Sequence, residues 1–327
     1  MSSSPEIDIE EARRRIRGVA VRTPLVHSVA LSDRVQREVF LKLETTQPTG
    51  AFKLRGAASK ILSLSDDARS RGVVTASTGN HGRSVAYVAR RLGIPARVCV
   101  SDGVPAGKLE ALRQLGAEVE VVGTAQTEAV DRAMDIARHD GAAFIHPFDD
   151  PDVIAGQGTI AAEIVEDLPE VATVLVPLSG GGLLSGVAEG LRQYRPGAEA
   201  VGVSMTRVPV MAMSLERGEP TDAPEEETLA DSLRGGIGLD NRYTFAMVRD
   251  LVRRVVLVDE AAIWEGMRFL FQHHRIVAEG AAAVGVAALL ESEVDPLEGP
   301  VVVLVTGANA EPGHVSALLA GAPAPTL

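Results

Sequence analysis

The sequence predicts an α/β protein built in two lobes, and three observations carry that prediction. Its 327 residues exceed the ~100 to 200 of an ordinary domain. Short β-branched runs alternate with Ala-rich helical stretches, the pattern of a mainly parallel sheet flanked by helices. Hydrophobic residues make up 46% of the chain and aromatics only 3%, so Ala, Val, Leu and Ile must fill the core.

The elements follow in order. A charged helix opens the chain around Ile7 to Gly18. Gly72 to Ala76 reads as a strand, Ser77 to Gly82 as a polar, glycine-containing turn, and Ser84 to Leu92 as a helix that Gly93 and Pro95 end. Ala96 to Ser101 is the next strand, followed by a helix from Pro105 to Leu115, a strand at Glu118 to Val122 and a helix from Gln126 to Asp140. These units make one compact lobe. A second begins with a strand at Thr173 to Pro177, a loop at Leu178 to Gly182, a helix from Leu183 to Tyr194 and a strand at Ala200 to Ser204. The stretch Arg217 to Glu227, rich in Glu, Pro and Asp, reads as an exposed loop. The closing Gly321-Ala322-Pro323-Ala324-Pro325 leaves no expected room for a regulatory module.

A formal charge of -12 argues against nucleic acid and acidic membrane surfaces, which require a basic footprint. The single cysteine, Cys99, excludes a disulfide framework and sits in an apolar strand. The start, Met1-Ser2-Ser3-Ser4-Pro5-Glu6, lacks the features of a secretory signal, and no apolar run of about 18 residues escapes Gly, Pro or charge. The expectation is a cytoplasmic enzyme acting on small molecules.

Two features carry chemistry. Gly180-Gly181-Gly182, between a strand and a helix, lets backbone N–H groups approach an anion at a helix N-terminus, though alone it reads equally as a tight turn. It is neither a Walker loop nor a GxGxxG fingerprint, which points to a phosphate-bearing cofactor other than ATP or NAD. Lys53, near a helix start, could be a desolvated nucleophile or base, but by itself it reads as a solvated charge.

Taken together, four runs in order resemble the fold-type II pyridoxal phosphate (PLP) enzymes, specifically the threonine/serine dehydratase and serine racemase group: Pro48-Thr49-Gly50-Ala51-Phe52-Lys53-Leu54-Arg55-Gly56-Ala57, Ser77-Thr78-Gly79-Asn80-His81-Gly82, Val176-Pro177-Leu178-Ser179-Gly180-Gly181-Gly182-Leu183-Leu184-Ser185-Gly186, and Thr306-Gly307-Ala308-Asn309. The likeness spans about residues 5 to 315. It implies a two-lobed fold like the tryptophan synthase β subunit, with residues 51–145 as a small domain inserted into a large PLP-binding domain of 1–50 and 146–327.

The resemblance also implies roles. Lys53 holds PLP as a Schiff base beside Phe52, and Asn80 meets the phenolic oxygen. Gly180, Gly181, Gly182 and Leu183 hold the phosphate, Thr306 faces the pyridine nitrogen, and Glu279 lies near the ring. Ser77, Thr78, Asn80 and His81 receive the substrate carboxylate. Arg83, Arg234 and Arg242 could meet a second carboxylate or polar tail, or serve as surface arginines. A hydroxyl at Thr306 leaves the pyridine unprotonated and a weaker electron sink, which favours β-elimination over transamination. The implied reaction is dehydration of L-threonine or L-serine to a 2-keto acid and ammonia, by a homodimer.

Several positions depart from the pattern. Ser179 replaces a glycine found in many relatives. Thr78 stands where serine racemases place the serine that protonates the opposite face, so a racemase is the alternative reading, with Thr78 as a second catalytic group. No carboxylate follows Val201-Gly202-Val203-Ser204-Met205-Thr206 until Glu216, so no divalent metal is expected there. The run Asp231 to Phe245 and the pair Gly82-Arg83 resemble the hydroxyectoine utilisation dehydratases, and phenylserine dehydratase is another relative.

Overall fold

The computed structural model describes residues 6–77, 79–104, 106–294 and 297–325. Its strands are β1 (Leu25–His27), β2 (Val39–Leu43), β3 (Val73–Ala76), β4 (Ala96–Val100), β5 (Glu118–Val121), β6 (Ala143–Phe144), β7 (Thr173–Pro177), β8 (Glu199–Met205), β9 (Arg254–Val258) and β10 (Val301–Val305). They form two sheets. One has the order β5-β4-β3-β6 and is wholly parallel. The other has the order β1-β2-β10-β7-β8-β9, parallel except where β1 meets β2. β10 sits inside its sheet with every residue buried, as a continuous Val/Leu run requires when helices cover both faces.

The helix Pro151–Asp167 joins the two lobes and is buried along most of its length. It packs between the helices Lys53–Ser63 and Gly182–Tyr194. Glycines permit both contacts: a Cβ on Gly156 would stand 2.6 Å from the Arg55 carbonyl, and one on Gly186 would stand 2.4 Å from that of Ile154. This close packing fixes the starts of two helices, those carrying Lys53 and Gly182, relative to one another. Gly156 and Gly158, within a run that is buried on all sides, hid the joining helix from sequence periodicity.

The sequence boundaries need two corrections that bear on function. The helix expected to start at Ser84 starts at Asn80, so Asn80, His81 and Gly82 lie in its first turn. Gly82 does not break it; the missing side chain lets the turn close over the Ser77 carbonyl, 2.0 Å from where a Cβ would be. Likewise, the later helix begins at Gly182 rather than Leu183.

Candidate active site

Lys53 opens its helix directly after Phe52. The loop before it is stitched to the end of β10: the Phe52 N–H donates to the Thr306 carbonyl at 3.0 Å, and the Ala308 N–H to the Gly50 carbonyl at 2.8 Å. Thr306 itself is buried. The Lys53 ammonium donates to the Pro147 carbonyl at 2.7 Å. Desolvation alone pushes its pKa down to about 8. Buried Lys42, by contrast, has the Glu163 carboxylate at 2.7 Å. A lysine desolvated without a counter-ion is partly neutral near pH 7 and can act as nucleophile or base.

The segment that receives Lys53 also closes the glycine loop. A Cβ on Gly180 would lie 2.5 Å from the Phe148 ring, and one on Gly182 would lie 2.7 Å from the Phe148 carbonyl. Gly181 takes φ +88°, and no side chain caps the helix that follows. The first-turn N–H groups are therefore left to an anion at the positive end of a helix dipole. Asp149 anchors the segment, accepting from the N–H groups of Arg242, Tyr243 and Thr244 at 2.7, 2.9 and 2.9 Å. His146 turns its Nδ1 to the N–H groups of Phe148 and Asp149, and burial lowers its pKa.

Asn80 donates through Nδ2 to Glu279 at 2.7 Å and accepts at Oδ1 from Asn309 at 2.6 Å. Burial, helped by the charge of Asp231, raises Glu279 to about 7. His81 is held by the Ile145 carbonyl at 2.9 Å, and burial lowers its pKa to about 3, so its imidazole is neutral. Ser77 accepts from the Gly79 N–H at 3.3 Å. Thr78 lies outside the described residues.

Arg83 donates to Asn309 at 2.9 Å and lines a cavity of about 510 Å³ with Thr49, Gly50, Arg90 and Asn309. Arg234 is exposed beside Glu225 and lines a second cavity, of about 210 Å³, with Asp231, Glu279 and Asn309. Lys108 pairs with two residues that line the second cavity, 2.6 Å from Glu311 and 3.7 Å from Asp231. Leu183 is buried in the first turn after the glycines. Thus the structure gathers Phe52, Lys53, Asn80, Gly180, Gly181, Gly182, Glu279 and Thr306 around one junction of the lobes. Sequence reasoning missed Pro147, Phe148, Lys108 and the part played by Asn309.

These residues fit PLP: a glycine cradle at a helix N-terminus suits a phosphate, and a desolvated lysine suits an aldehyde. Residues 16–307 match the family model described as pyridoxal-phosphate dependent enzyme. A Sinorhizobium fredii protein, named provisionally as a threonine dehydratase, is 48% identical over 93% of this chain and 92% of its own. The L-threonine ammonia-lyase of Thermotoga maritima is 41% identical over 95% of this chain and 77% of its own. The structure of maize serine racemase superposes with a TM-score of 0.91 at 33% identity, over 97% of this chain and 98% of that one. With the lysine, the asparagine loop and the glycine cradle assembled at one junction, the chain belongs to the family of pyridoxal-phosphate dependent enzymes.

Proposed function

We propose that this protein is a PLP-dependent ammonia-lyase that dehydrates a β-hydroxy amino acid, such as L-threonine or L-serine, to a 2-keto acid and ammonia. The observation that carries the reading is Lys53, a desolvated amine with no carboxylate partner among the described residues, at a helix start directly after a loop stitched to Thr306 and beside a glycine cradle. The ammonia-lyase and dehydratase names of the relatives support it.

Bound PLP withdraws electrons from the α-carbon of an amino acid and so acidifies its α-proton. Gly180, Gly181, Gly182 and Leu183 would hold the phosphate through backbone N–H groups, Phe52 would pack beside the cofactor, and Asn80 would donate to the phenolic oxygen. Thr306 would offer the pyridine nitrogen a hydroxyl, which could not keep it protonated as a carboxylate would. Ser77, Thr78, Asn80 and His81 would hold the substrate carboxylate, His81 through its backbone, since its ring is neutral and engaged with Ile145. The freed Lys53 amine, made more accessible as a base by desolvation, would take the α-proton, and the β-hydroxyl would leave as water on receiving a proton from the lysine ammonium so formed. The released unsaturated amine then takes up water to yield keto acid and ammonia.

The domain division into 51–145 and 1–50 with 146–327 belongs to the same reading. It is supported by a four-stranded sheet drawn only from residues 73–144. No helix among the described residues is long and apolar enough to cross a membrane. We place the enzyme in the cytoplasm as a homodimer acting on small amino acids and not on nucleic acid, consistent with its formal charge of -12.

The likeness to serine racemase favours a second reading, racemisation on the same scaffold. A panel of L-threonine, L-serine, phenylserine and β-hydroxy amino acids with acidic or amino tails, assayed for keto acid and by chiral chromatography, separates the two. Keto acid from at least one β-hydroxy substrate is expected; D-isomer without keto acid would replace the lyase with the racemase.

A further inference from the structure

Four side chains form a directed chain from the larger cavity to the buried carboxylate. Arg83 Nη1 donates to Asn309 Oδ1 at 2.9 Å, Asn309 Nδ2 donates to Asn80 Oδ1 at 2.6 Å, and Asn80 Nδ2 donates to Glu279 Oε1 at 2.7 Å. An amide can face either way, but a guanidinium only donates, and Glu279 only accepts once it is ionised, above its pKa of about 7. With Arg83 at one end and Glu279 at the other, both amides must point the same way. Reversal would set the Asn309 NH2 against the guanidinium and the Asn80 carbonyl against the carboxylate. Asn309 Nδ2 also donates to the Thr49 carbonyl at 3.1 Å, which opposes reversal a second time.

The backbone makes room for the chain. A Cβ on Gly50 would stand 3.2 Å from the Asn309 amide, and one on Gly307 would stand 2.5 Å from Glu279. The Arg83 charge is also felt by Glu279, whose carboxyl it pulls down against the burial that raises it. Charged ends strengthen and align the hydrogen bonds between them.

We propose that Arg83 and Asn309 are positioning residues that set the direction of the Asn80 amide, leaving its second N–H free for the cofactor rather than binding substrate themselves. This rests on the PLP reading above. It predicts that donor-only character at position 83 matters, not the guanidinium shape.

The test uses purified protein stripped of PLP and titrated with PLP alone, without substrate. It follows affinity together with the visible absorbance of bound PLP and the pH midpoint of that band. Arg83→Lys is expected to match the unmodified protein in spectrum and midpoint, with affinity within about threefold. Arg83→Met is expected to bind PLP at least about tenfold more weakly with a displaced midpoint, and Arg83→Glu, which replaces a donor by an acceptor, more weakly still. Asn309→Ala should equal its combination with Arg83→Met, because one chain is broken once. An Arg83→Met protein with unaltered affinity and spectrum would overturn this inference alone, as would an Arg83→Lys protein as defective as Arg83→Met. An unmodified chain that took up no PLP would overturn the cofactor reading and this inference with it.

Discussion

The Lys53 ammonium donates to the backbone carbonyl of Pro147 at 2.7 Å, and Pro147 directly precedes the Phe148 that closes the glycine loop. One short segment therefore sets both the reactive amine and the phosphate cradle. Because the contact is to a neutral carbonyl, no carboxylate among the described residues offsets the desolvation that lowers Lys53 to about 8. Below that value the ammonium dominates, and above it the free amine. The rate at which the PLP-free protein recaptures PLP should rise with pH around a midpoint near 8, not near the ordinary lysine value. At pH 7.5 the free-amine fraction is roughly two orders of magnitude above that of an exposed lysine. Stopped-flow absorbance checks this, and Lys53→Ala should abolish both the band that borohydride would fix and keto acid formation.

Gly180→Ala should weaken PLP binding by at least about tenfold, since its Cβ would lie 2.5 Å from the Phe148 ring. The clash is with a side chain, so trimming the ring should restore room. Gly180→Ala combined with Phe148→Leu is expected to regain most of the affinity in a fluorescence titration. If the double variant binds no better than the single one, the collision with Phe148 is not what makes Gly180 necessary.

Much of the site was legible because its parts lie in short runs: Lys53, Asn80, the three glycines and Thr306 each sit in a contiguous motif. Local patterning also placed β7 and the helix Gln126–Asp140 at their observed limits. What escaped depends on contacts distant in the chain. Pro147 is significant only because helix packing delivers Lys53 to its carbonyl. Asn309 stood in a recognised run, but its bonds to Asn80 and Arg83 appear only when two lobes meet. Arg55 was read merely as a motif residue, although it centres a buried charge network whose acids come from a 3-10 turn and the joining helix.

That network fixes the helix headed by Lys53. Arg55 meets Glu44 at 2.8 Å and Glu163 at 2.7 Å, and Glu163 also receives Lys42 at 2.7 Å. Burial alone would raise Glu163, but Arg55 and Lys42 hold it below the usual range. Removing one member strands a buried charge, so Glu163→Ala should cost about 3–5 kcal/mol in urea unfolding. A depressed carboxylate contributes stability above its unfolded pKa of about 4.5 that is lost as pH falls through the lower folded value. The gap between the unmodified protein and Glu163→Ala should therefore narrow in acid.

Glu279 predicts the opposite sign. Its pKa is raised to about 7, chiefly by burial, from an ordinary 4.5. A raised carboxylate costs stability as pH climbs from the unfolded value to the folded one, on the order of 3 kcal/mol once both are passed. Glu279→Gln keeps an acceptor for Asn80 Nδ2 and removes the buried charge. It should melt at a higher temperature than the unmodified protein at pH 8 and at nearly the same temperature at pH 4.5. At the same time the amide no longer forces the direction of the Asn80 chain, because its own NH2 can turn inward. Higher thermal stability with weaker PLP binding at pH 8 is the expected pair of results. Equal melting temperatures at both pH values would show that the buried carboxylate carries no charge even at pH 8.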